Sequence, residues 1–126
     1  MLKNMANIFG WVLLVIGVLG FVPGITTNGH LLGIFDVNAL LNLVHIVSGL
    51  AALYLASKGE AQAQMFFKVF GVIYGLVAVL GFFGGDAPIL GLLSNNTADT
   101  WLHVVIAVVA LYLGFGSKKE GMMQAA

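Results

Sequence analysis

LNLVHIVSGLAALYL at residues 41–55 and DTWLHVVIAVVALYL at residues 99–113 are the two stretches that decide the fold. Aligned with a shift of 58 residues, they match at the histidine, at one valine and at the closing Ala-Leu-Tyr-Leu. Both stretches are apolar enough for the interior of a bilayer, and His45 of the first corresponds to His103 of the second. The match indicates that the chain repeats one membrane-spanning unit that carries a histidine.

The composition of the whole chain sets its class. The chain has 126 residues, of which 60% are hydrophobic and 8% charged, and its mean hydropathy is +1.04. Soluble domains carry roughly 25% charged residues, so this composition predicts an integral membrane protein. The chain has no cysteine, which excludes disulfides, thiolate metal sites and cysteine nucleophiles. Its net charge is zero and it contains no arginine, so no nucleic acid is expected as a partner.

Four apolar segments are close to the roughly 20 residues that a helix needs to cross hydrocarbon. They lie at about 6–23, 37–57, 66–85 and 98–116. Strands of a membrane barrel would alternate apolar and polar residues over about 10 positions, which these segments do not. The first segment ends in FVPGITT without a signal-peptidase site, so it is expected to remain in the protein. The sequence therefore predicts an all-α membrane protein, a bundle of four transmembrane helices forming a single domain over residues 1–126.

The lysines predict the orientation in the membrane. All five fall at the start of the chain, between the second and third segments, or at the end: Lys3, Lys58, Lys68, Lys118 and Lys119. With four crossings these places are on one side of the bilayer, and cytoplasmic loops are the ones enriched in lysine. Both termini are therefore expected to be cytoplasmic.

The internal repeat extends beyond the histidines. A shift of 61 residues aligns FG at 9–10 with FG at 70–71, and VLGF at 18–21 with VLGF at 79–82. The halves, about 7–57 and 68–115, are thus two copies of a helical hairpin that run in the same direction. Such parallel repeats are related by an axis along the membrane normal, which places His45 and His103 at one depth.

Three motifs carry a resemblance to a known family. They are GVLGFVPGITT at 17–27, LLGIFDVNALLNLVHIVSGL at 31–50 and NTADTWLH at 96–103. In this order they resemble the bacterial four-span membrane family catalogued as domain of unknown function 4383, over roughly residues 10–113. The resemblance implies a multi-pass protein of the bacterial cytoplasmic (inner) membrane. It implies no activity, substrate or cofactor.

Polar side chains within the second and fourth segments are the candidate functional residues. They are Asn42, His45, Asp99, Thr100 and His103, and the helical period places them on faces that should turn into the bundle. The favoured interpretation is an interhelical hydrogen-bond network that satisfies the two imidazoles. Two alternatives are ligation of a haem by His45 and His103, and a proton-carrying histidine pair. No cofactor or metal ion is predicted.

Glycines form the second group of candidate residues. Seven of them are expected at close helix contacts, within the chain or with a neighbour: Gly17, Gly20, Gly49, Gly71, Gly75, Gly81 and Gly85. No nucleophile–base–acid set or phosphate loop is present, so an enzyme is not expected. The sequence favours a non-enzymatic protein of the lipid bilayer that forms a homo-oligomer or serves as an accessory subunit of another membrane protein. A small electron- or proton-handling protein built on His45 and His103 is the alternative.

Overall fold

A computed structural model describes residues 1–116 of the chain. It contains four α-helices: α1 (Leu2–Leu19), α2 (Ala39–Lys58), α3 (Glu60–Gly84) and α4 (Thr97–Leu111), the last continued by a π-helical turn (Tyr112–Gly116). All four, α4 together with its π turn, are long and apolar enough to cross a bilayer. The four helices pack together, which confirms the predicted helical membrane fold. Two of the lysines used to predict the orientation, Lys118 and Lys119, lie outside the described residues.

The first helix begins and ends about four residues before its predicted limits. Its end at Leu19 is set by Pro23, because a proline disfavours helical backbone in the residue before it and cannot donate a helical hydrogen bond. The Thr26 hydroxyl donates to the Leu19 carbonyl at 2.8 Å. This bond satisfies one of the carbonyls that the end of a helix leaves unpaired.

A single residue joins α2 to α3, whereas the sequence predicted a turn over residues 58–65. That residue is Gly59, whose φ of +133° is accessible to glycine. The third helix therefore starts at Glu60, and its carboxylate accepts the backbone N–H groups of Leu2 at 2.9 Å and Lys3 at 3.1 Å. A carboxylate at this position stabilises the N-terminus of α1 through the helix dipole. We call this end of the bundle the terminal end.

The opposite end, called the loop end, consists of residues 20–38 and 85–96. The first loop contains a three-stranded antiparallel sheet that the sequence did not predict, with β1 (Thr26–Thr27), β2 (His30–Leu31) and β3 (Phe35–Asp36). Each loop also contains a Leu-Gly turn in the left-handed region. The φ values are 55° at Leu32 and 71° at Gly33 in the first loop, and 54° at Leu90 and 70° at Gly91 in the second.

Helix packing is closest within each half of the chain. Helix α1 packs mainly on α2 and α3 mainly on α4, while α2 and α1 both contact α3 to join the halves. At the closest crossing, Gly10 and Gly49 face each other. A Cβ added to Gly49 would lie 2.6 Å from the Gly10 carbonyl oxygen, so the backbones meet directly. The corresponding contact in the second half joins Gly71 to Leu111, where an added Cβ would meet Leu111 at 3.0 Å.

The other glycines divide into two groups. Gly17 and Gly20 lie against Ile46 and Asn42 of α2, and Gly81 lies against Thr100 of α4. Gly75 has more room, since an added Cβ would find only the Ala107 Cβ, at 3.9 Å. Gly85 makes no helix contact within residues 1–116, and its contact with a neighbouring chain stays a prediction. No atom lies within 4 Å of an added Cβ there, and a φ of +62° shows that Gly85 serves to end α3.

Candidate functional site

Two buried histidines project from corresponding positions of α2 and α4. Each lies seven residues after the asparagine that caps its helix, Asn38 for His45 and Asn96 for His103. Both caps accept a backbone N–H of the first turn at 2.9 Å, which fixes where the two helices begin. At a rise of about 1.5 Å per residue, both imidazoles therefore lie about 10 Å below the loop end.

The two imidazoles form a triangle with a tyrosine ring from the third helix. The ring centroids of His45 and His103 are 5.8 Å apart. The Tyr74 ring stacks on His103 at 5.8 Å with an interplanar angle of 23°, and lies 6.4 Å from His45. The exposed fractions of the three residues are only 1–2%. Helices α2, α3 and α4 thus place three aromatic groups that can form hydrogen bonds at one point of the interior.

None of these three side chains has a hydrogen-bond partner among residues 1–116. The Nδ1 and Nε2 atoms of His45 and His103 are buried without a partner, and so is the Tyr74 hydroxyl. The Ser48 hydroxyl lies beside that of Tyr74, without the geometry of a hydrogen bond. The hydrogen bonds expected from the imidazoles to Asn42, Asp99 and Thr100 are not made.

The predicted partners of the imidazoles are buried, but their bonds go elsewhere. Asp99 completes a capping box, its Oδ2 accepting the Asn96 backbone N–H at 3.1 Å. The Thr100 hydroxyl donates to the Asn95 side-chain oxygen at 3.3 Å. The Oδ1 atom of Asn42 has no partner in the described chain. Asp99 and Thr100 therefore hold the start of α4 rather than the histidines.

An apolar cavity of about 210 Å³ lies at the loop end, beside His45. Its walls come from α1, from the sheet loop, including Leu31 and Val37, and from α4. His45 and Asp99 are the two polar side chains that line it. The cavity is therefore an apolar space with an imidazole and a carboxylate in its wall, and the ring nitrogens of that imidazole are buried.

Two residues of the site were not identified from the sequence. Tyr74 gives no functional signal in the sequence, because an isolated tyrosine in an apolar helix does not show which helix it meets. Asn95 is fully buried, and its side-chain Nδ2 donates to the Gly85 carbonyl at 2.8 Å. The adjacent pair Asn95–Asn96 was a signal for it, since one helix start needs only one asparagine as its cap.

The site's geometry bears on which groups it can hold. Tyr74 lies beside both histidines, and the two imidazoles lie beside each other. The three side chains fill the space where a macrocycle would have to lie. Within residues 1–116, no group of three or more histidine, cysteine or acidic side chains is arranged to hold a metal ion. The free ring nitrogens and the phenol provide hydrogen-bond donors and acceptors that a small uncharged species could use.

The fold and the site together define a small multi-pass membrane protein with a polar centre enclosed in a four-helix bundle. The chain belongs to the family described as Domain of unknown function (DUF4383), whose model matches residues 3–116. The predicted family is therefore confirmed, and the match covers every described helix. Comparison with curated proteins and with solved structures gives no match.

Proposed function

We propose that this protein is a non-enzymatic binding protein of the bacterial cytoplasmic membrane, whose His45 and His103 take up a proton or a small hydrogen-bonding ligand. One observation carries the proposal: four imidazole nitrogens are buried close together without a hydrogen-bond partner in residues 1–116. The lysine distribution supports an orientation with both termini in the cytoplasm.

A purely structural role for the pair is less well supported. A buried polar group without a partner costs about 1–3 kcal/mol, and an apolar side chain of similar size would avoid that cost. The favoured interpretation from the sequence required the histidines to be satisfied by Asn42, Asp99 or Thr100, and these bonds are not made. A buried polar group that lowers stability calls for an explanation, and a ligand that completes its hydrogen bonds is one.

The other functions considered from the sequence have less support. Haem ligation by His45 and His103 would require Tyr74 to leave its place beside both rings. Self-association through glycines is disfavoured because Gly17, Gly20, Gly71 and Gly81 are already used within the chain. Association with another membrane protein through other surfaces stays a prediction.

Substitutions of the histidines test the proposal in the purified protein without added ligand. If the imidazoles are unpaired, His45→Leu and His103→Leu should melt in detergent at or above the temperature of the parent, because each removes a buried polar group. His45→Asn and His103→Asn should melt below both leucine variants, because asparagine is smaller and would be unpaired as well. A hydrogen-bond network predicts the opposite order, with asparagine above leucine and both below the parent.

The exposed histidine provides the control. His30 lies on strand β2, with its ring Nδ1 2.9 Å from the Asn28 carbonyl, so His30→Leu should leave the melting temperature unchanged. If both buried leucine variants melt below the asparagine variants, the binding proposal fails. An absorption spectrum of the same preparations tests haem, because a Soret band lost in either leucine variant would establish ligation.

A further inference from the structure

A groove on the side of the bundle opens where two helices are not packed against each other. Helices α1 and α4 are separated by an apolar groove of about 230 Å³. Its walls are large side chains, including Phe9 and Leu13 of α1 and Ile106 of α4. Ile8 and Val105 line it as well, and both are 57% exposed on the outer surface of the helices. The groove is therefore open to the hydrocarbon of the membrane.

The groove adjoins the loop-end cavity. Ile16 and Leu102 line both spaces, so the two are neighbours along the line between α1 and α4. The groove opens at the lipid-facing surface, and His45 and Asp99 line the cavity beside it; we call the groove and the cavity together the path. The His45 side chain is only 2% exposed, both of its ring nitrogens lack a partner, and it lines the cavity end of this path.

We propose that this path binds a neutral amphiphile with one hydrocarbon tail, the tail in the α1–α4 groove and a hydroxyl or carbonyl head at His45 and Asp99. The proposal rests on the proposed function, in that His45 is a binding group. It adds the chemical class of the ligand and the route by which the ligand enters, laterally from the bilayer.

The lining of the groove suits a flexible tail better than a neighbouring helix. Its walls are bulky side chains such as Phe9 and Ile106, whereas close packing of a neighbouring helix requires small residues at the contact. A flexible hydrocarbon chain can follow such a surface and makes dispersion contacts with these side chains along its length.

The apolar lining of the cavity favours a neutral head, because burying a charged group without a full set of partners is costly. The cavity contains a carboxylate, Asp99, and no lysine lines it. A phosphate or carboxylate head would be repelled there, because like charges in a medium of low polarity interact strongly. A hydroxyl head can donate to the Asp99 carboxylate, which has lone pairs beyond the one used by Asn96. It can also bond to a ring nitrogen of His45 once the buried imidazole turns toward the cavity. A carbonyl head can accept from the N–H of the same imidazole.

Thermal melting in detergent with added amphiphiles tests the proposal. The neutral probes are a benzoquinol with a decyl tail and dodecanol, and the anionic probe is a single-chain phosphatidylglycerol. A saturable rise in melting temperature is expected for a neutral probe and not for the anionic one. The relative affinities of the quinol and the alcohol then indicate which neutral head the site prefers. Binding of either one supports a neutral amphiphile with one tail as the ligand.

Matched variants locate the bound probe. Val105→Trp fills the groove from its exposed side, whereas Val108→Trp places the same side chain on the same helix at a position that is 61% exposed and does not line the groove. Neither valine is in the buried core, so both variants should fold. Val105→Trp should weaken binding of the neutral probe at least about tenfold, since the indole occupies the space of the tail and removes several of its contacts, and Val108→Trp should not.

The head contact is tested by His45→Leu, which should also weaken binding by about tenfold, with His30→Leu as its control. Three results would overturn the inference: no shift with either neutral probe, an equal shift with the anionic probe, or equal binding by the two tryptophan variants. The melting order of the leucine and asparagine variants without probe is independent of all three. Failure of the ligand class is therefore distinguishable from failure of the proposed function.

Discussion

Asn38 and Asn96 each begin a helix in one half of the chain and hold the loop of the other half. The Asn38 Nδ2 donates to the Leu92 carbonyl at 2.9 Å, and the Asn96 Nδ2 donates to the Ile34 carbonyl at 3.0 Å. Asn38 and Asn96 are 58 residues apart in sequence, and so are Ile34 and Leu92. A two-fold relationship between the halves predicts this reciprocity, and superposition of residues 7–57 on 68–115 about an axis near the membrane normal is its direct test.

The two asparagines should contribute to stability in two separable ways. In Asn38→Ser and Asn96→Ser the helix cap is kept but the bond to the opposite loop is lost, so each should lower the free energy of unfolding by about 0.5–1.5 kcal/mol. The alanine variants lose the cap as well and should cost about 1 kcal/mol more. Reversible unfolding in mixed detergent measures both steps. Serine variants as stable as the parent would show that the loop contacts contribute nothing.

The crossing of α1 and α2 should not tolerate a methyl group. In Gly49→Ala the new Cβ would lie 2.6 Å from the Gly10 carbonyl oxygen and 2.7 Å from the Leu14 backbone nitrogen, so the helices must separate. Overpacking of this kind costs about 1–3 kcal/mol. Gly75→Ala is the matched control because only the Ala107 Cβ is near, and it should be neutral or stabilising by less than about 1 kcal/mol. Equal unfolding free energies for the two variants would contradict this packing.

The orientation predicted from the lysines can be tested on a chain that has no cysteine of its own. Thr27→Cys places a thiol at the loop end, and Ser57→Cys places one at the terminal end; both positions are exposed. An impermeant thiol reagent on intact cells should label the first variant and reach the second only after the membrane is opened. The reverse pattern would place the termini outside the cytoplasm.

The left-handed leucines of the loop end should be sites where stability can be gained. A leucine at a φ of 54° destabilises the folded state by about 1–2 kcal/mol relative to right-handed backbone, whereas asparagine adopts this region more readily. Leu90→Asn should therefore raise the melting temperature. Leu92→Asn controls for the loss of apolar surface, because Leu92 is also exposed but lies outside the left-handed region. A gain shared by both variants, or absent from Leu90→Asn, would show that the backbone carries no strain there.

Local chemistry explains what could be predicted from the sequence. Segments that are apolar on all sides have one stable arrangement in a bilayer, so length and hydropathy were enough to predict four helices. The cap at Asn96 was predictable because a capping box is encoded within four residues, Asn96 to Asp99. The one-residue link at Gly59 was missed because α3 extends six residues before its apolar part, as far as Glu60. No hydropathy pattern encodes that extension.

The pattern of residues on one helix face could not predict which groups the buried polar side chains meet. The face shared by Asn42 and His45 indicated that both turn inward, but the rotation of α3 relative to α2 and α4 decides which ring they meet. That rotation places Tyr74 beside both histidines. It depends on contacts far apart in sequence, such as Gly71 with Leu111. The short sheet was missed for a similar reason, since strands of two residues have no measurable period.

Entry of the proposed ligand through the gap between α1 and α4 would make its binding respond to a concentration in the membrane. A solute that enters from hydrocarbon must first dissolve in the bilayer, so occupancy follows its mole fraction in the membrane rather than its molarity in the surrounding water. Protein-free vesicles added at a constant total amount of solute would dilute the solute in the membrane. Occupancy of the site would then fall although the protein itself is unchanged. Lengthening the tail by one CH₂ group would raise occupancy at a fixed aqueous dose by about fourfold through partitioning alone, with every contact inside the protein unchanged.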